Sequence, residues 1–169
     1  MLVFSSCKKS GFLDQKNLSQ ITEQQIFSDS LNSWQYINSR YNNVSYSWEI
    51  TRWGQGGVES ASDEAQSQLQ LTQLQTYWQT GAISPSNVGS DPVWGTTYQQ
   101  VRAVNIFLKD RKNIPVTQRT KDLWTGQARF LRAWYLATLL KNFGGFPMVR
   151  DTIFDANANI NIPRSSYED

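Results

Sequence analysis

Histidine is absent from the 169-residue chain. Its absence removes the commonest general base, the usual imidazole zinc ligand and every Ser-His-Asp or Cys-His arrangement. Catalysis would have to rest on carboxylates alone. Cysteine occurs once, as Cys7. A single thiol forms no internal disulfide, and with no His beside it Cys7 makes neither a metal site nor an activated nucleophile. Charge of either sign is not in excess: 16 basic residues against 14 acidic ones leave +2, too weak a field to suggest nucleic acid. Long hydrophobic runs are missing too. The most apolar stretch is QARFLRAWYLATLLKNFGGFPMVRD, from Gln127 to Asp151. It carries Arg129, Arg132, Lys141 and Asn142 where a spanning helix needs roughly 20 predominantly apolar residues. It reads as a half-buried helix, not a membrane span. No glycine-rich phosphate loop, P-loop or calcium loop appears, so no cofactor and no metal are expected.

What the chain does have is ring surface. Seven Trp, seven Tyr and eight Phe make aromatics 13% of the residues, more than a modest helical core requires. At this length one domain is expected, burying on the order of 70% of its unfolded surface. Thr22 and Gln25 have capping-box spacing. They open a predicted helix with apolar positions Ile26, Phe27, Leu31, Trp34, Ile37 and Tyr41, ended by Asn42-Asn43. WGQGGVESASDEA, from Trp53, is a glycine- and serine-rich loop. QSQLQLTQLQTYWQ is ambiguous, since its alternation favours a strand and its glutamines a helix. Asp91-Pro92 reads as an N-cap and first helical residue. Behind it Trp94, Tyr98, Val101, Asn105 and Leu108 form a seam spaced four, three, four, three. After the short turn NIPVT, Thr117 caps a last helix running to about Phe143. There Gly144-Gly145 supplies the C-cap and Pro147 forbids continuation. Two long helices joined by so short a link lie antiparallel, the unit of tetratricopeptide-like repeats.

Both ends read as cut. In MLVFSSCKKSGFLD an apolar run and two small residues precede Cys7, and a polar stretch follows. That is the end of a bacterial lipoprotein signal, with too short an h-region and no n-region. At the other end, Ser165 or Ser166 caps a helix that Glu168 and Asp169 only begin. The expectation is a truncated lipoprotein signal and flexible leader over residues 1–20, lipidated at Cys7. Residues 21–169 then form the N-terminal part of a longer helical domain.

Trp94, Tyr98 and VRAVNIFL, then GQARFLRAWYLATLLKNFGGFPMV and IPRSSYED, together resemble the N-terminal part of the SusD/RagB family. The resemblance covers nearly the whole chain, and the arginine-aromatic helix ending in Gly-Gly-Phe-Pro is its specific part. It implies an all-α, mainly helical fold: a tetratricopeptide-like hairpin scaffold with irregular loops, here an N-terminal fragment. It also implies an outer-membrane, surface-exposed, lipid-anchored protein that binds glycans and works with a TonB-dependent transporter. The resemblance further implies that a C-terminal portion, which supplies much of the family's ligand surface, is expected beyond this fragment.

Sugars offer CH faces to aromatic rings and hydroxyl edges to amides and carboxylates. Binding rings are sought on loops held by a rigid scaffold. Trp53 beside Gly54, Gly56 and Gly57 fits, as does Tyr77-Trp78 between Gln75 and Gln79, with Asp63 as a nearby acceptor. Packing over the hairpin is the alternative for each ring, and a helix N-cap is the alternative for Asp63. Trp94, Tyr98 and Trp134 lie on helical faces and are expected in the core. Arg129 and Arg132 are expected to pair with acidic residues or carbonyls. Two other functions compete: a helical-repeat scaffold binding only proteins, and a carbohydrate-active hydrolase. The hydrolase is disfavoured because Asp63 and Glu64 are adjacent, whereas glycosidases hold their carboxyls about 5 to 9.5 Å apart across one bond.

Overall fold

The structure, a computed structural model, describes residues 21–48, 81, 84, 86, 93–155 and 157–166. Among them are four α-helices and no strand: α1 Glu23–Phe27, α2 Ser30–Asn38, α3 Val93–Asp110 and α4 Gln118–Phe143, with 3-10 turns over Ser39–Trp48 and Arg111–Asn113. The described part of the chain is mainly helical, as its periodicity requires. No described helix is long and apolar enough to cross a membrane.

The N-terminal caps form where the sequence places them. Thr22 and Gln25 make the reciprocal capping box, and the Thr117 side chain accepts from the Thr120 amide at 3.3 Å. The expected single helix from residue 22 to 42 is instead broken. Ser28 closes α1 and Asp29 caps α2, its carboxylate accepting from the Asn32 amide at 2.7 Å. Short polar side chains compete with the helix ladder for backbone partners, and here two in succession end one helix and start the next. The Ser33 hydroxyl fastens the corner, with the Asp29 carbonyl at 2.6 Å and the Ile26 carbonyl at 3.0 Å. The break swings Leu31 off the seam, leaving it 61% exposed, and Tyr41 also stands at the surface. The helical path then continues as 3-10 turn through Asn42-Asn43 to Trp48 rather than ending there.

α3 and α4 form the expected antiparallel hairpin. Trp94 at the start of α3 meets Phe143 at the end of α4, ring centroids 5.1 Å apart. At the other end Lys121 Nζ donates to the Lys112 carbonyl at 2.8 Å. Their shared seam buries Val101, Val104, Phe107 and Leu108 against Ala128, Leu131 and Tyr135, and α1 and α2 add Phe27 and Ile37. Each buried Val, Leu, Ile or Phe among them contributes about 1.5–3 kcal/mol by leaving water. Polar bonds fix the register of the N-terminal arm on the hairpin. Tyr36 donates to the Ala103 carbonyl at 3.1 Å, Arg40 to the Gln100 side chain at 3.1 Å, and the Tyr135 hydroxyl to the Arg40 carbonyl.

After α4 the chain doubles back as an irregular strap, from Phe146 toward Arg164, along the hairpin. Gly144 has φ of +69°, a left-handed conformation that closes the helix and that side chains disfavour. Gly145 is needed for a different reason. A Cβ there would overlap the Ser165 carbonyl oxygen and stand 3.0 Å from its carbon. The returning chain lies directly on this glycine, joined by the Ser165 amide to the Phe146 carbonyl at 3.2 Å. Arg164 donates to the Phe143 and Gly145 carbonyls, satisfying acceptors that the helix end leaves open.

Candidate functional site

The strap does not lie flush on α3. Between them is a groove of about 520 Å³, within the size range of small-molecule and sugar sites. One wall is the first half of α3, where Trp94, Tyr98 and Arg102 recur every fourth residue and Gly95 and Gln99 lie beside them. The other wall is the strap, with Pro147, Val149, Thr152 and Phe154, then Asp155, Ile160 and Ile162.

The aromatic floor is held rigidly. Trp94 lies edge-to-face against Tyr98, centroids 5.3 Å apart, and perpendicular to Phe143. The Tyr98 hydroxyl donates to the Pro147 carbonyl at 2.8 Å, tying the two walls together. Burial pushes the Tyr98 phenol up to about 12, against the lowering field of Arg164. It stays a neutral donor at any physiological pH. Gln99, Arg102, Thr152 and Asp155 are exposed around the rings and offer an amide, a guanidinium, a hydroxyl and a carboxylate. Among the described residues Asp155 is the only carboxylate lining the groove, so they bring no pair of carboxyls there to one glycosidic bond. They also contain no cluster able to hold a metal ion.

Trp94 and Tyr98, expected in the core, are only half-buried and form the groove's floor. The seam of α3 does face α4 from Val101 onward. Trp94 and Tyr98 lie one position off the buried stripe of Val93, Thr97, Val101 and Val104, and border the strap instead. Trp134 is half-buried as well, with its indole N–H donating to the Val44 carbonyl at 3.2 Å. Cys7, Trp53, Asp63, Tyr77 and Trp78 lie outside the described residues, as do the glutamine-rich segment and the Asp91-Pro92 cap. Of the two arginines, Arg132 pairs with Asp151 and donates to Asn105 at 3.0 Å. Arg129 is exposed and has no ion pair among the described residues. In the sequence Gln99 and Arg102 look like any exposed polar positions of a helix. The signal for Phe154 and Asp155 is a run of isolated apolar residues after Pro147, too sparse for periodicity to register.

Residues 11–169 match the family model SusD-like 3, described as starch-binding and associating with the outer membrane. The chain belongs to the SusD-like family. No curated protein and no solved structure gave a match. SusD-like proteins are binding proteins rather than enzymes, and family membership brings with it glycan binding in association with the outer membrane. The helical architecture seen here is that of the family.

Proposed function

We propose that this SusD-like chain is part of a surface-exposed, lipid-anchored protein that captures oligosaccharides and delivers them to a TonB-dependent transporter, with the groove between α3 and the strap as a contact surface for the glycan. The observation that supports it is the groove itself: fixed rings below, with an amide, a guanidinium and a carboxylate around them. Rings supply apolar area to the sugar's CH faces, and the polar groups set its orientation. Trp53, Asp63, Tyr77 and Trp78 are proposed as further contacts from the loops.

Calorimetry on the intact native protein tests this reading, with maltoheptaose first, as a starch fragment, and the best ligand of a glycan array second. Phe154→Ala is expected to weaken binding about tenfold, equivalent to about 1.4 kcal/mol, and to shift the melting temperature by only a few degrees. Unchanged affinity would remove the groove from the site. If Trp78→Ala abolishes binding instead, the ligand rests on the loops. Anchoring at Cys7 predicts a lipidated cysteine at the mature N-terminus by mass spectrometry, with several acyl chains giving firm attachment. Delivery predicts co-purification of a TonB-dependent barrel in mild detergent. A scaffold that binds only proteins is the second reading, favoured by Leu123 and Phe130, 60% and 56% exposed on α4.

A further inference from the structure

The strap has a second face. Thr152 and Phe154 turn toward the groove, whereas Asp151 and Ile153 turn toward a separate cleft of about 490 Å³ between α3 and α4. That alternation is the ordinary consequence of extended backbone. Among the described residues four cations line the cleft, Lys109, Arg111, Arg129 and Arg132, with Asp151 as the single acid. The hairpin creates this concentration, because Arg111 follows the end of α3 while Arg129 and Arg132 share one face of α4.

Two of the four charges are already answered. Lys109 stands 3.1 Å from Glu23 and 3.3 Å from Asp110, and Arg132 engages Asp151. Arg111 donates one N–H to the Leu108 carbonyl, a neutral partner. Neither Arg111 nor Arg129 has an ion pair among the described residues. Both nonetheless lie near enough to Asp151 to help hold its carboxyl below the usual range, after the larger effect of Arg132. Among the described residues the cleft therefore carries more guanidinium than carboxylate, in a chain whose net charge is only +2. Guanidinium forks match carboxylate and sulfate geometry, and a walled basic cleft concentrates such anions locally.

We propose that this cleft binds the acidic substituent of a glycan, a carboxylate or a sulfate ester, through Arg129 and Arg111. The inference rests on the glycan-binding reading above. It adds that acidic oligosaccharides are a preferred class, held on the far side of the strap from the aromatic groove.

A heparin-derived tetrasaccharide carries both kinds of anion and is the probe for calorimetry on the intact native protein. Arg129→Ala and Arg111→Ala should each weaken its binding about tenfold, the loss expected for one charge-assisted contact. Lys112→Ala, an exposed cation outside the cleft, should change it less than about twofold. Added salt should weaken binding to the wild type more than to Arg129→Ala. The desulfated form retains the carboxylates and the carboxyl-reduced form retains the sulfates, so their ranking names the anion. No binding of the tetrasaccharide, or equal losses for Arg129→Ala and Lys112→Ala, would overturn the proposal. If maltoheptaose still binds in that event, the groove reading survives alone; if no glycan binds, both fall.

Discussion

Gly145 and Gly126 show how one residue type carries opposite consequences in the same chain. Gly145 is overlain by the Ser165 carbonyl, whereas nothing lies within 4 Å of a Cβ placed on Gly126 inside α4. Gly145→Ala should therefore cost about 1–3 kcal/mol, the usual penalty of forced packing, and lift the returning chain off the turn. Gly126→Ala should stabilise by about 0.5–1 kcal/mol, because a helix interior favours Ala over Gly by that amount. Chemical denaturation of the two variants reads both signs directly. Tyr98 and Tyr135 give a second residue-level expectation. Burial raises both phenols to about 12, with Arg164 and Arg40 respectively opposing it. Tyrosines of the unfolded chain ionise near pH 10. The two residues thus leave stability flat below pH 10 and make it fall as pH rises toward 12. Tyr135→Phe should show a shallower alkaline fall in melting temperature than the parent, and an identical slope would refute the assignment.

At the scale of elements, the hairpin was legible because its signals agree. Thr117 caps, a three-four apolar spacing persists for the length of α4, and Gly144 with Pro147 ends it. The N-terminal arm was less legible, and the reason is local. Ile26, Phe27, Trp34 and Ile37 keep helical spacing across Ser28-Asp29, so periodicity alone joins two helices into one. The competing signal was a second cap, Asp29 accepting from Asn32, embedded within the periodic run. The two arrangements differ most at Leu31, which a continuous helix would bury and the broken one leaves 61% exposed. Leu31→Ala should then cost within about 0.5 kcal/mol, as surface changes do. Phe27→Ala, two helical turns away at most and packed edge-on to Tyr36 and Phe107, should cost about 3–5 kcal/mol. A loss of 2 kcal/mol or more at Leu31, by the standard of buried leucines, would restore the single helix.

At the scale of the whole molecule, the strap decides what the hairpin can do, and it was the least legible part. Helical spacing identifies the face on which Trp94 and Tyr98 lie but not what covers that face. The neighbouring stripe of Val93, Thr97, Val101 and Val104 is buried, whereas Trp94 and Tyr98 border the groove and the strap beyond it. The strap itself has no periodicity, since its position is set by contacts made from elsewhere. The central one is Asn105, 2% exposed. Its amide donates to the Arg150 and Thr152 carbonyls at 2.8 and 3.2 Å, and its carbonyl accepts from Arg132 at 3.0 Å. One buried side chain thus fixes the partition between groove and cleft. Asn105→Ala leaves those partners unsatisfied at about 1–3 kcal/mol. Asn105→Asp keeps the shape and the Arg132 contact but turns a carboxylate oxygen toward two carbonyls. Both variants should speed hydrogen exchange in residues 147–155 while the amides of α3 and α4 stay protected. Both should also weaken oligosaccharide binding, although Asn105 does not line the groove. If exchange in the strap is unchanged in both variants, Tyr98 and Arg164 hold it without help, and Asn105 does not position it.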